Sequence, residues 1–157
     1  MSQEATASEL ELSSQLGGRP LMLYDGVCGV CNHAVRAVTQ RDHADRFRFA
    51  AQQSPLAQAI LTRHGINPQA MLRNNSVYLV LDAGADHEQL LAESNVWVKI
   101  LFVLGGRSRV LGYLLQAIPP LIRNAAYRLI AANRYRLSRR FNICPLPTEA
   151  ERRKFLA

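Results

Sequence analysis

Two cysteines stand three residues apart in the stretch Leu23-Tyr24-Asp25-Gly26-Val27-Cys28-Gly29-Val30-Cys31-Asn32. A short apolar run, Pro20 to Tyr24, precedes them as a strand would, and a segment with helical apolar spacing follows. A helix start presents unpaired N–H groups and the positive end of the backbone dipole, so a sulfur at Cys28 is favoured as thiolate. The lowered pKa makes it a nucleophile near neutral pH. Cys31, Ala34, Val35 and Val38 follow the i, i+3, i+4, i+7 spacing of an inward face, which predicts Cys31 as the sheltered sulfur and Cys28 as the exposed one. Such a pair is what thiol–disulfide exchange needs: attack makes a mixed disulfide, and the second sulfur releases it. This chemistry uses no cofactor beyond the dithiol itself. Its partners are a disulfide-containing protein or small-thiol substrate and a reductant that resets the pair.

Two other readings share the spacing. A Cys-x-x-Cys pair can be half of a zinc site, normally completed by a second pair of Cys or His ligands. Here Cys144 is the third and last cysteine, and His33, His43, His64 and His87 are scattered singly. The pair can also be two small core residues. Cys144 itself reads either as a third redox thiol or as a buried small residue.

Asp25 sits awkwardly, because a carboxylate near Cys28 raises the thiol's pKa and opposes the helix terminus. Two roles avoid the conflict: accepting backbone N–H bonds within the Gly26-Val27-Cys28 loop, or accepting the proton of Cys31 during resolution. Tyr24 and Asn32 are the candidate substrate contacts, Asn32 lying four residues after Cys28 on the same helical face. His33 points away from both sulfurs and reads as a surface histidine.

The elements that must hold these residues follow in chain order. A strand is expected over Arg19 to Tyr24 and a helix from about Gly29 to Arg41. After the polar break Asp42 to Asp45, Phe47, Phe49 and Ala51 alternate with Arg46, Arg48 and Ala50 as in a half-buried strand. Ser54 with Pro55 opens a helix that Gly65 stops. Ser76 to Asp82 reads as a central strand, Ala83 to Asp86 as a turn, and Glu88 to Ala92 as its hairpin partner. Ser94 is the expected cap of a helix over Asn95 to Leu104. The order β, α, β, α, β, β, α is that of a thioredoxin-type α/β fold, with the cysteines between the first strand and first helix.

Beyond Ser108 the apolar pattern Leu114, Leu115, Ile118, Leu121, Ile122, Ala125, Ala126, Leu129, Ile130 predicts two helices, restarted at Pro119-Pro120 and packed on the first domain through this stripe. Arg123, Tyr127 and Arg134 share a face opposite much of that stripe, a solvated face or a docking surface for an acidic protein partner. Thr148 with Glu151 has capping-box spacing and opens an expected final helix, Glu149 to Phe155. Three regions result: a flexible tail over 1–18, a thioredoxin-like domain over 19–106, and a basic helical extension over 107–157 packed on the same domain.

The 157 residues suffice for one domain with a sizeable core, and 48% hydrophobic with 20% charged residues is ordinary for a globular protein. Three cysteines are too few for a disulfide-built secreted scaffold. Met1 to Gly18 has neither a basic n-region nor an apolar h-region, and no apolar run reaches a spanning length. A cytoplasmic location is the expectation. The net charge of +7 concentrates toward the C-terminal end, which suits acidic partners, nucleic acid or an anionic membrane surface, or simply a solvated face. No nucleic-acid motif is visible and no nucleic-acid partner is expected.

Asp25-Gly26-Val27-Cys28-Gly29-Val30-Cys31-Asn32 resembles the signature of the DCC family, named for its Asp, Cys and Cys. The resemblance continues through Arg46 to Ala50, Ser94, Ile118-Pro119, Tyr127 to Ala131, Asn133-Arg134-Tyr135 and Cys144 with Pro145-Leu146-Pro147, so it covers roughly Pro20 to Leu156. It implies a thioredoxin-like fold, protein-disulfide reduction, and Asp25, Cys28 and Cys31 as the name-giving residues. Thioredoxins proper carry a cis-proline just before the third strand. Here Arg73-Asn74-Asn75-Ser76 precede Val77, and the nearest proline is Pro68.

Overall fold

The computed structural model describes residues 11, 14–67, 77–138 and 149–156. Cys144, Thr148, Pro68 and Arg73 to Ser76, each singled out above, lie outside the described residues. Alternation writes the sheet. In β1 (Leu21–Tyr24) Leu21 and Leu23 face one layer and Met22 the other, and all three are fully buried, as a strand covered on both sides requires. In β2 (Arg48–Ala51) Phe49 and Ala50 divide the same way, and in β3 (Tyr78–Leu81) so do Leu79 and Val80. The expected central strand is therefore present, between β1 and the hairpin partner β4 (Gln89–Ala92).

The helices divide over the two faces. α1 (Gly29–Arg41) directs Cys31, Val35 and Val38 onto Met22, Phe49 and Leu79. α2 (Pro55–Arg63), capped by Ser54 Oγ accepting from Ala57 N at 3.2 Å, covers the other face with Ala57, Ile60 and Leu61. α3 (Ser94–Leu104) joins α1 through Val96 and Ile100. α4 (Gly106–Ala117) lies on α3, and α5 (Pro120–Ser138) crosses α1 and α3. β1 and β2 pair in parallel through α1, while β3 runs antiparallel to β1 and β4 antiparallel to β3. This five-stranded sheet flanked by helices is the expected thioredoxin-like α/β architecture.

Four expectations change. Ser94 is not a cap: it lies inside α3, 4% exposed, and its hydroxyl donates to Asn124 Oδ1 of α5, while Glu93 makes the turn into the helix at φ 55°. Leu16, in the stretch expected to be a flexible tail, is 1% exposed and packs with Leu21 and Leu61. The expected helix Glu149 to Phe155 ends as α6 at Glu149–Arg152, and Phe155–Leu156 form β5, parallel to β2. Edge hydrogen bonding decides this: Phe49 N donates to Lys154 O at 2.8 Å, and Phe155 stacks on Phe49 with ring centroids 5.3 Å apart. The fourth concerns α5. The apolar stripe expected to pack inward is exposed, with Leu121 at 84% and Leu129 at 67%, and the Arg123, Tyr127, Arg134 face docks instead.

Candidate redox site

β1 ends at Tyr24 and α1 begins at Gly29, so Asp25 to Cys28 form the turn between them. Cys28 is the N-cap of α1, and its sulfur occupies the position where a capping oxygen usually sits: Sγ accepts from Cys31 N at 3.4 Å. Both cysteines are free thiols, and both are buried. Cys28 is 0% exposed and Cys31 5%, which corrects the expected order of an exposed first sulfur and a sheltered second. Cys28 is enclosed in the core cluster with Met22 and Phe49, although its neighbour Val27 is 75% exposed, while Cys31 forms part of a cavity wall.

The two sulfurs are pushed apart in acidity. The Cys28 thiol is pulled down from 9.0 to about 6, first by the hydrogen bond that the Cys31 thiol gives its thiolate. Burial opposes this, and the Cys31 and Val30 backbone N–H groups and the Arg134 charge assist it. Cys31 moves up, because ionising it would break its hydrogen bond to Cys28, create a charge where burial withholds water, and set that charge beside the Cys28 thiolate and the Asp25 carboxylate; Arg134 opposes this shift. The arrangement favours the thiolate at Cys28 and keeps the proton on Cys31.

Asp25 is 2% exposed and works in two directions. Oδ1 accepts from Val27 N at 3.1 Å and from Gln53 Nε2 at 2.9 Å; Oδ2 pairs with Arg134 Nη2 at 2.9 Å. The backbone contact is the loop-fixing one anticipated for it. Gln53 clamps the same turn from the end of β2, its Oε1 accepting from Gly26 N at 3.2 Å, and a Cβ on Gly26 would crowd that oxygen at 3.3 Å. Asn32 braces the loop too, its Nδ2 donating to Gly26 O at 2.9 Å. Tyr24 lies at the sheet end, its ring edge-on to Phe155. His33 is exposed.

Arg134 is the residue that sequence spacing misplaces. It is 3% exposed, and its Nη1 approaches Cys31 Sγ at 3.8 Å while Nη2 holds Asp25. Tyr127, two turns earlier, accepts from Val77 N at 3.0 Å, and burial pushes its phenol up. A cavity of about 390 Å³ lies between α1, α3 and α5, bounded by Cys31, Trp97, Ile118, Ile122, Tyr127 and Arg134. The signal that could have found Arg134 was present: Arg123, Tyr127 and Arg134 share one face of a helix. Gln53 gave no signal of its own. Among the described residues no three His, Cys, Asp or Glu side chains are grouped to hold a metal ion.

Comparison with known proteins adds an independent line. The family model described as DCC1-like thiol-disulfide oxidoreductase matches residues 22–140. The chain is 31% identical over 144 residues to "Uncharacterized protein YuxK" of Bacillus subtilis (strain 168), an alignment covering 92% of this chain and 98% of that protein. It is 33% identical over 128 residues to "DCC family protein At1g52590, chloroplastic" of Arabidopsis thaliana, covering 82% of this chain and 70% of the relative. No solved structure matches the chain.

Proposed function

The chain belongs to the DCC1-like thiol-disulfide oxidoreductase family, and from that premise we propose that it reduces protein or small-molecule disulfides through Cys28 as nucleophile and Cys31 as resolving thiol. The observation that carries this reading is the opposed acidity of the two sulfurs, Cys28 at about 6 and Cys31 pushed up. The Cys28 thiolate attacks one sulfur of the substrate disulfide; the other leaves as a thiolate and takes a proton from solvent. Once Cys28 is bonded to substrate its negative charge is gone. The hydrogen bond and the repulsion that held the Cys31 proton disappear with it, and Arg134 remains to stabilise the Cys31 thiolate as it forms. Cys31 gives its proton to solvent and attacks Cys28 Sγ, the bond from Cys28 to substrate breaks, the substrate sulfur leaves as a thiolate that is protonated, and two electrons have moved from the dithiol. A second dithiol reductant resets the Cys28–Cys31 disulfide.

In this scheme Asp25 fixes the loop and orients Arg134, and the buried Cys28 requires the Asp25 to Cys28 loop to turn outward when substrate arrives. Tyr24 and Asn32 then act through loop and sheet end rather than as direct substrate contacts. A reducing compartment fits the direction of the reaction, with the cytoplasm as the location we propose; the name of one relative places that protein in the chloroplast.

The test is alkylation of the reduced protein followed by mass across pH, together with turnover of a model protein disulfide. Alkylation is expected at Cys28 with a midpoint near pH 6. Cys28→Ser abolishes turnover, and Cys31→Ser accumulates a mixed disulfide on Cys28. Turnover surviving in Cys28→Ser, or alkylation falling first on Cys31, overturns the assignment.

A further inference from the structure

α5 is mounted with its apolar side out. Its cationic and phenolic line faces the site, and the apolar stripe has no cover from the described residues. At 100° per residue Leu121, Ile122, Leu129, Ile130 and Leu137 fall within one half of the helix circumference, and they are 84, 60, 67, 55 and 40% exposed. α4 adds Val110, Leu111 and Leu114, within about a third of its own circumference and 61, 56 and 62% exposed. At the cavity mouth Ile118, between the two helices, and Ile122 and Ile130 of α5 are at once cavity wall and exposed surface. An exposed apolar stripe that runs the length of α5, with a second on α4, marks an interaction surface.

Charge selects the partner. From Ser94 to Thr148 the chain has no Asp or Glu and carries Lys99 and eight arginines. Arg107 and Arg136 are exposed and, by helical phase, lie within the apolar arcs of α4 and α5. A second copy of the same face would set cation against cation. A surface that offers hydrocarbon beneath anionic groups satisfies both halves of the pattern, as in interfacial amphipathic helices. We propose that α4 and α5 seat this protein on an anionic lipid surface, the helices lying in the interface plane. No described helix is long and apolar enough to cross a membrane. The inference rests on the outer faces alone and does not use the sulfurs.

The test is co-sedimentation of the full-length reduced protein with vesicles of phosphatidylglycerol and phosphatidylcholine in equal parts, against vesicles of phosphatidylcholine alone. The protein is expected to pellet with the anionic vesicles and stay in solution with the neutral ones. Binding should fall several-fold as salt rises from about 0.05 to about 0.5 M. Leu121→Glu with Leu129→Glu, at exposed positions, removes binding while circular dichroism stays unchanged; Arg107→Gln with Arg136→Gln weakens it several-fold. No pelleting at low salt overturns the proposal, as does equal pelleting with both vesicle types or binding indifferent to the two glutamates. A dimer in sedimentation equilibrium that Leu129→Glu dissolves, without vesicle binding, also overturns it and assigns the face to a second copy. Cys28 alkylation in the same samples reads the redox proposal separately, since none of these variants touches the sulfurs.

Discussion

Arg134 holds the site together through charge. It sits between a buried carboxylate at 2.9 Å and a buried sulfur at 3.8 Å, where removing one member of an ion pair is far costlier than removing both. Arg134→Met is expected to lower stability in urea unfolding by about 3–5 kcal/mol. Asp25→Asn in the same chain should restore a large part of that loss, because the two changes are coupled. In Arg134→Met the Cys31 thiolate also loses its cation, so the mixed disulfide on Cys28 should decay more slowly. Cys28 carries a further consequence. A group whose folded pKa lies below its unfolded value contributes stabilisation that is complete above the unfolded pKa and lost as pH falls through the folded one. For Cys28 that window runs from 9.0 down to about 6 and applies only to the reduced protein. At pH 7 the shift favours the dithiol, which makes the couple more oxidising than one with an unshifted thiol. Titration against a glutathione buffer at pH 6 and at pH 8 should show this excess growing with pH.

At the scale of elements, the start of α1, the cap of α2 and the central strand β3 were legible because each is written locally: a Cys pair after an apolar run, Ser before Pro, an unbroken apolar segment. The helicity of α4 and α5 and their break at Pro119-Pro120 were equally legible. The orientation of α5 was not. An apolar stripe predicts the buried face only where the surface receiving it is apolar. The surface that receives α5 offers Asp25, the Val77 N–H and the Asn95 side-chain oxygen, which call for a guanidinium, a hydroxyl and a second guanidinium. Partners 103 residues apart in the chain, as Cys31 and Arg134 are, leave no trace in local spacing. The contact of α4 with α3 is tighter than its sequence suggests. A Cβ at Gly112 would lie 3.3 Å from Leu101 Cβ, beside the edge-on pair of Phe102 and Tyr113 at 4.9 Å. Gly112→Val should therefore push the helices apart and cost about 1–3 kcal/mol, read as a lowered midpoint in thermal unfolding.

Across the whole molecule, the sheet is closed by residues far from the dithiol. Lys154 is 8% exposed, and its Nζ lies 3.1 Å from Asp42 O, 3.2 Å from Asp42 Oδ2 and 3.4 Å from Asp45 Oδ1. Asp42 also accepts from Arg46 N and Phe47 N, so one lysine ties β5 to the turn that begins β2. Lys154→Met should lower the urea midpoint by about 3 kcal/mol equivalent, while Cys28 alkylation keeps its midpoint near pH 6. On the opposite side Glu88 joins the hairpin to α2: burial pushes its carboxyl up, but hydrogen bonds from Arg63, Gly84 N and His64 more than reverse this and hold it low. Its contribution to stability is thus lost in acid.

Synthesis adds one more consequence of the distance between Cys31 and Arg134. The chain leaves the ribosome from its first residue, and the guanidinium that pairs Asp25 is made 103 residues after the second cysteine. At ~5–20 residues per second that is an interval of roughly 5–20 s. For that time a nascent chain bears both sulfurs without the cation and with the β2 edge still open, so oxidation or strand-to-strand association during translation competes with completion of the fold.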